Sequence, residues 1–326
     1  MSKILEVSKL YVVYPDGTRA LDGISFEMEE GKILGVVGES GSGKTTLALS
    51  LLGLLPSGSK ISGRINYRGI NILELSQKEL SKVRGKEISL VFQDALSAFD
   101  PLQKVGKQIV EKSTRERELT YSEARLKAIS LMRDLGVNNP ELRFSVYPHE
   151  LSGGLRQRMF IAMSLFENPK LLIMDEPTTA LDVITQAQLV EMISSLKKRG
   201  LSIIFITHDL ALASSICDSI MVMYAGKVVE IGTAIQITSN PLHPYTMGLL
   251  ESTPSITRPA ELLKPMKGSL PNMRNLPRGC RFHPRCPYAT EICKQSEPNL
   301  TPRQGGRLVA CHLQVGEDIE STNLRS

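Results

Sequence analysis

Gly38 and Gly43 bracket four residues and are followed at once by Lys44 and Thr45. Glycines at this spacing let backbone N–H groups turn inward around a phosphate, and the helix that follows adds positive potential. Gly38, Ser40, Gly41, Ser42 and Gly43 would form the cradle. Lys44 would reach the β- and γ-phosphates, the Thr45 hydroxyl would ligate Mg²⁺, and Thr46 completes the phosphate-binding set. A second candidate group is the carboxylate pair Asp175-Glu176, directly after the uncharged run Leu171 to Met174. Asp175 can hold Mg²⁺ through water, and Glu176 can polarise an attacking water. A third is His208, between Thr207 and Asp209, as a hydrogen-bond donor to a γ-phosphate. Together these residues suit hydrolysis of a nucleoside triphosphate.

Elements of fixed type must position them. Lys32 to Val37 has the length and β-rich apolar character of a buried strand, and Thr46 to Leu55 reads as a helix closed by Pro56. Leu171 to Met174 and Ser202 to Ile206 read as two more buried strands. All three strands then carry their chemical residues at the C-terminal edge, where open α/β sheets bind ligands. The predicted class is α/β, a P-loop ATPase core.

The 326 residues are 41% hydrophobic and 22% charged, which describes a globular chain of about two domains. Its longest apolar stretch, Leu47 to Leu55, is far short of the ~20 residues of a spanning helix. The N-terminus lacks an apolar signal core, so synthesis and residence in the cytosol are expected, with any membrane attachment made through other chains. Net charge is +5, but nine Lys/Arg against two Glu between Lys264 and Arg307 make that stretch +7 and leave about −2 elsewhere. A nearly neutral main body argues against nucleic acid as a partner. Eleven of 18 prolines fall between Pro241 and Pro302, and four of five cysteines are Cys280, Cys286, Cys293 and Cys311. The sequence therefore divides near residue 235, with a large domain over 1–235 and an irregular, Cys-rich extension over 236–326.

Leu151-Ser-Gly-Gly154 lies about 20 residues before the Asp175 strand. With the P-loop, Gln93, Asp175-Glu176 and His208, it resembles the nucleotide-binding domain of ABC transporters over residues 1 to about 235. The resemblance implies an antiparallel β region, a helical subdomain over about 95–167, and two such domains sandwiching two ATP molecules. Ser152, Gly153 and Gly154 would cap the γ-phosphate held by the partner's P-loop. Two glycines permit that close backbone approach, and the helical pattern from Leu155 to Phe166 would aim its dipole at the anion. Tyr14, 24 residues before Gly38, resembles the aromatic that stacks on adenine. Gln93 resembles the glutamine that contacts Mg²⁺ and the attacking water and faces a membrane subunit. Asp182 resembles the residue that crosses the dimer interface.

The extension narrows the resemblance. Asn240-Pro-Leu-His-Pro-Tyr245 and the segment Gly279 to Pro287 are similar to the C-terminal extension of ATP-binding subunits of dipeptide and oligopeptide importers. That likeness implies ATP hydrolysis driving peptide import at the cytoplasmic face of the membrane. It implies two transmembrane permease subunits, a related but different second nucleotide-binding chain, and an extracytoplasmic substrate-binding protein. The alternatives are the same machine importing oligosaccharides or nickel and, behind these, a soluble non-transport ABC ATPase. Departures from the usual pattern are Ala95 for Pro, Leu155 for Gln or Met, and Ile184-Thr185 for Thr-Ile. His243-Pro-Tyr245 reads as a rigid turn between domains.

Cys280-x5-Cys286-x6-Cys293-x17-Cys311 is not the paired spacing of a zinc ribbon, and a reducing cytosol disfavours disulfides. Four thiolates can hold a [4Fe–4S] cluster. The family resemblance implies one, and the surrounding +7 suits an anionic cluster. Zinc, with His283 and His312 as alternative ligands, and bare thiols are the alternatives.

Overall fold

The computed structural model describes residues 2–92, 98–179, 181–252 and 266–313. In chain order, β1 (Lys3–Val13), β2 (Arg19–Glu29) and β3 (Ile33–Val37) precede α1 (Lys44–Leu51), β4 (Lys60–Tyr67) and β5 (Ile70–Asn71). Next come α2 (Gln77–Val83), β6 (Ile88–Val91), α3 (Val105–Arg115), α4 (Tyr121–Asp134), α5 (Pro140–Arg143) and α6 (Gly153–Leu165). They are followed by β7 (Leu171–Asp175), α7 (Val183–Lys198), β8 (Ser202–Thr207), α8 (Leu210–Ile216), β9 (Ser219–Tyr224) and β10 (Lys227–Thr233). The last elements are α9 (Ala234–Ser239), α10 (Pro244–Ser252), α11 (Glu291–Gln295), β11 (Thr301–Pro302) and β12 (Leu308–Val309).

The chain forms two compact units. The first takes residues 1–29, 33–73 and 207–326; the second takes 30–32 and 74–206.

In the first unit, β1 and β2 form an antiparallel hairpin extended by β4 and β5. Alternation places Leu5, Val7, Leu10 and Val12 inside and Glu6 and Tyr11 outside, as a half-buried strand requires. A register shift after Val7, with Lys9 at φ 46°, keeps Leu10 on the buried face. The P-loop strand β3 is buried throughout and runs parallel to β9. β9 turns antiparallel into β10, and the extension's β12 and β11 add to that edge.

Helix α1 is shorter than its apolar pattern suggests. Gly53 sits at φ 60°, its N–H bonds the Ser50 carbonyl at 3.1 Å, and the Leu54 N–H bonds that of Leu49 at 2.9 Å. This paired closure around a left-handed glycine ends the helix one turn before Pro56 can.

In the second unit, β6, β7 and β8 are parallel neighbours. Every residue of the three is buried, so they are apolar without alternation. Each fully buried Ile, Leu or Phe there contributes about 1.5–3 kcal/mol. The connection between β6 and β7 is helical. Thr120 starts α4 with a reciprocal cap to Glu123, and α3 and α6 pack with α4.

Candidate functional site

The first unit holds the phosphate loop, between β3 and α1. Gly43 caps α1 at φ 104°, and a Cβ on it would lie 2.6 Å from the Ala20 carbonyl oxygen. A Cβ on Gly38 would lie 2.2 Å from the Met223 carbonyl oxygen. Backbone on the far side of the contact cannot yield, so both positions exclude a side chain. Lys44 is 4% exposed, and its ammonium donates to the carbonyls of Gly38 at 2.8 Å and Glu39 at 3.0 Å. The buried Ser42 Oγ has no hydrogen-bond partner among the described residues. Ser40, Gly41 and Thr45 are exposed, and Thr46 is buried. The Tyr14 hydroxyl lies 2.8 Å from Thr46 Oγ1, so the aromatic expected at the base stands at the first turn of α1. A glycine-rich loop, a helix N-terminus and a lysine held by the loop's own carbonyls suit the phosphates of ATP.

His208 belongs to the same unit. It is exposed, directly after β8, and Asp209 behind it caps α8 by accepting the Leu212 N–H at 3.0 Å.

The second unit holds two further groups. Asp175 ends β7 and is 4% exposed. Glu176 follows at φ 48°, a left-handed conformation unusual for glutamate, with its N–H bonded to the Ile206 carbonyl at 2.9 Å. Strained backbone of this kind concentrates at functional positions. Thr179 Oγ1 donates to Glu176 Oε2 at 3.2 Å.

Ser152 caps α6, Gly153 and Gly154 form its first turn, and Asp182 caps α7. Structure brings these two helix starts together through a residue that sequence reasoning noted only as a departure. A Cβ on Gly154 would lie 2.8 Å from Thr185 Cγ2. Thr185 donates to Asp182 through N–H at 2.9 Å and Oγ1 at 2.7 Å, which holds the Asp182 carboxyl below its usual range. Gln93 lies outside the described residues.

The four cysteines of the extension are all free thiols in the first unit. The Cys280 N–H bonds the Cys293 carbonyl at 2.8 Å. Burial pushes the Cys286 thiol up to about 12 and Cys311 up to about 11, with neighbouring cysteines adding to both shifts. Cys280 is raised for the same reasons. The four thiols are thus gathered. Yet among the described residues no group of three or more His, Cys, Asp or Glu is disposed to hold a metal ion. His283 Nδ1 is 2.9 Å from the Cys280 carbonyl, and His312 Nε2 is 2.8 Å from that of Ser296.

The extension's positive charge is directed elsewhere than expected. Arg274 pairs with Asp16, Arg281 with Asp22, and Arg285 with Glu39. Three of the nine basic residues therefore dock the extension onto carboxylates of the nucleotide-binding part.

Sequence reasoning missed three positions at the phosphate loop. Glu39 accepts both guanidinium nitrogens of Arg285, at 2.7 and 2.9 Å. Its N–H donates to the Tyr245 hydroxyl at 2.9 Å. His243-Pro-Tyr245 is therefore more than a turn: His243 and Tyr245 are buried, and α10 begins at Pro244. A separate cavity of about 710 Å³ is lined by Val7, Phe26, His243, Cys280 and Arg281 among others, and by none of the phosphate-loop residues.

Residues 21–179 match the ABC transporter family, and residues 229–293 match the oligopeptide/dipeptide transporter C-terminal region. The oligopeptide transport ATP-binding protein OppD of Escherichia coli (strain K12) is 42% identical over 320 residues, covering 96% of this chain and 94% of the relative. AppD of Bacillus subtilis (strain 168), with the same description, is 42% identical over 328 residues, covering 99% and 100%. This chain belongs to the ATP-binding subunits of oligopeptide and dipeptide ABC transporters.

As a member of that family the chain is an ATPase that uses ATP with Mg²⁺. The dipeptide transport protein DppD of Escherichia coli (strain K12) is 41% identical, covering 96% of this chain and 98% of its own. Among solved structures, cbiO1 of Clostridium perfringens, part of the ABC transporter complex cbiONQ, has a TM-score of 0.65 at 30% identity. It covers 74% of this chain and 92% of its own. A dimeric bacterial ABC transporter cassette has a TM-score of 0.63 at 24% identity, covers 71% and 98%, and supports the fold. The α/β P-loop core, the antiparallel region and the helical stretch accord with the fold expected from the sequence.

Proposed function

We propose that this chain hydrolyses ATP to energise import of dipeptides or oligopeptides across the cell membrane. The observation that carries the reading is the C-terminal region, which the chain shares with proteins described as oligopeptide and dipeptide transport subunits. Among the described residues no helix is long and apolar enough to cross a membrane. Two permease subunits would therefore anchor the chain peripherally, at the cytoplasmic face, and an extracytoplasmic binding protein would select the peptide.

The hydrolytic roles follow the site. Lys44 and the loop N–H groups bind the phosphates, and Tyr14 stacks on the base. Thr45, Asp175 and Gln93 would hold Mg²⁺, which neutralises phosphate charge when bound. Glu176 polarises water, and His208 donates to the γ-phosphate. Ser152, Gly153, Gly154 and Asp182 would face a second nucleotide-binding subunit, a related but different chain. Support comes from the start of α7, where Val183 is 80% exposed and Ile184 72% exposed beside Asp182. Apolar side chains so placed gain about 1.5–3 kcal/mol each when a partner covers them fully. Phe92 and Leu102, exposed on either side of residues 93–97, suit contact with a permease segment.

Cys280, Cys286, Cys293 and Cys311 would hold a [4Fe–4S] cluster, which when bound cross-links four points of an irregular segment. Four free thiols, Cys293 buried and the other three half-buried, with neighbouring cysteines helping to raise Cys280, Cys286 and Cys311, support a metal centre. Tetrahedral zinc needs all four ligands within about 2.3 Å of one ion. Protein purified without oxygen should be brown and carry about four iron per chain. Colourless protein rich in zinc would reverse that assignment. The transport reading is tested by isolating the chain with its membrane partners and asking which solute stimulates ATP hydrolysis.

A further inference from the structure

The extension grips the phosphate loop at one residue. Glu39 is the second residue of the loop and directs its polar groups two ways. Its carbonyl accepts the Lys44 ammonium at 3.0 Å and the Ser42 N–H at 3.1 Å, both within the loop. Its N–H and its carboxylate are held by the extension, through Tyr245 and Arg285. Neither holder is free to move. The Tyr245 ring is fully buried, 4.6 Å from Tyr224 and 5.4 Å from Phe282. Its N–H is bonded to His243 Nδ1 at 3.0 Å. The Arg285 side chain is 6% exposed, lies over the rings of Tyr224 and Phe282, and donates Nε to the Lys267 carbonyl at 2.9 Å. A planar guanidinium bonded at both carboxylate oxygens fixes orientation as well as distance.

We infer that Arg285 and Tyr245 are positioning residues for ATP binding, holding Glu39 so that its carbonyl keeps Lys44 set for the phosphates before nucleotide arrives. The extension is then part of the nucleotide site's scaffold. The inference needs only the ATP-binding activity of the family and is independent of what is transported. A loop released from this grip keeps all its phosphate-contacting groups but must be ordered on binding, and that ordering weakens affinity.

The test is the Kd of the full-length chain for MgATP by titration calorimetry, with the melting temperature of each variant measured alongside. Arg285→Ala is expected to raise Kd about tenfold, the scale of a lost charge-assisted bidentate pair. Arg285→Lys should recover part of the loss, since a point charge restores attraction without the fork. Glu39→Gln combined with Arg285→Ala should bind no more weakly than Arg285→Ala alone. Tyr245→Phe, which keeps the packed ring, should raise Kd about threefold or more by removing the N–H acceptor. Val309→Ala is the structural control. Val309 is 1% exposed in β12 and pairs with Glu230. It should lower the melting temperature and leave Kd unchanged. If Arg285→Ala fails to fold, Arg285→Lys and Tyr245→Phe decide. A Kd within twofold of wild type in the folded Arg285 and Tyr245 variants overturns the inference. So does a Val309→Ala protein that loses as much affinity as they do.

Discussion

His243 should remain neutral in the folded protein at a pH where any exposed histidine is charged. Its ring is 1% exposed, and Nδ1 already accepts the Tyr245 N–H at 3.0 Å. Protonation would put a donor against a donor in a buried space. Burial accordingly pushes its pKa down to about 3, against a weak opposing hydrogen bond to the Ala310 backbone. The unfolded chain titrates with a pKa near 6.5. The sign follows. Below pH 6.5 the unfolded state takes up a proton that the folded state refuses, so stability falls with pH until about 3. Between pH 7.5 and 5.5 this loss is about 1.4 kcal/mol, and by pH 4.5 about 2.7 kcal/mol. Glu230 faces the same segment, accepting the N–H groups of Leu242 at 2.8 Å and His243 at 3.0 Å. Burial raises its pKa, so it titrates in the opposite sense and offsets part of the loss at low pH. A site-resolved assay therefore follows ring-labelled histidines by NMR in the intact chain. The His243 resonance should hold its neutral shift down to pH 5, and His243→Gln should flatten the fall of melting temperature between pH 7.5 and 5.5. A His243 titration with a midpoint between 6 and 7 would refute the reasoning.

Three further outcomes are expected. Tyr14→Ala should weaken MgATP binding about 5- to 150-fold, equivalent to about 1–3 kcal/mol of base stacking, whereas Tyr14→Phe loses only its bond to Thr46 and should stay within tenfold; equal effects in calorimetry would remove the stacking role. Glu176→Gln should keep its ATP Kd and lose at least about 100-fold in turnover, the scale of a lost general base; phosphate release near the wild-type rate would rule out that role. Gly154→Ala should depress the ATPase of the assembled transporter by crowding Thr185, and Thr185→Ser, which removes the offending methyl and keeps the bond to Asp182, should restore it; failure of the rescue would show that the tight approach is not the cause.

Chemistry carried by consecutive residues was the most legible. The strand, glycine loop and helix around Lys44 are local, and the apolar runs of β7 and β8 announce buried parallel strands. The end of α1 was less so, because Leu52 to Leu55 continue an apolar pattern that Gly53 interrupts only through its backbone. Thr185 looked like a variation in the family pattern, but its side chain links Gly154 to Asp182. Long-range ion pairs were the least legible. Glu39 and Arg285 are 246 positions apart, and no periodicity joins them. The excess of basic residues after Lys264 showed the sign of the extension's charge; only the fold assigns it to Asp16, Asp22 and Glu39. A usable clue lay in the near-neutral remainder, whose carboxylates had to meet that charge somewhere.

The most direct test of the central claim is the ATPase activity of the complex purified from native membranes through this chain, reconstituted with its binding protein. It would be measured against di- and oligopeptides, oligosaccharides and Ni²⁺. Co-purification of two permease subunits and stimulation by peptides alone is the predicted result. Stimulation by sugar or nickel instead, or a preparation without any permease, would contradict it.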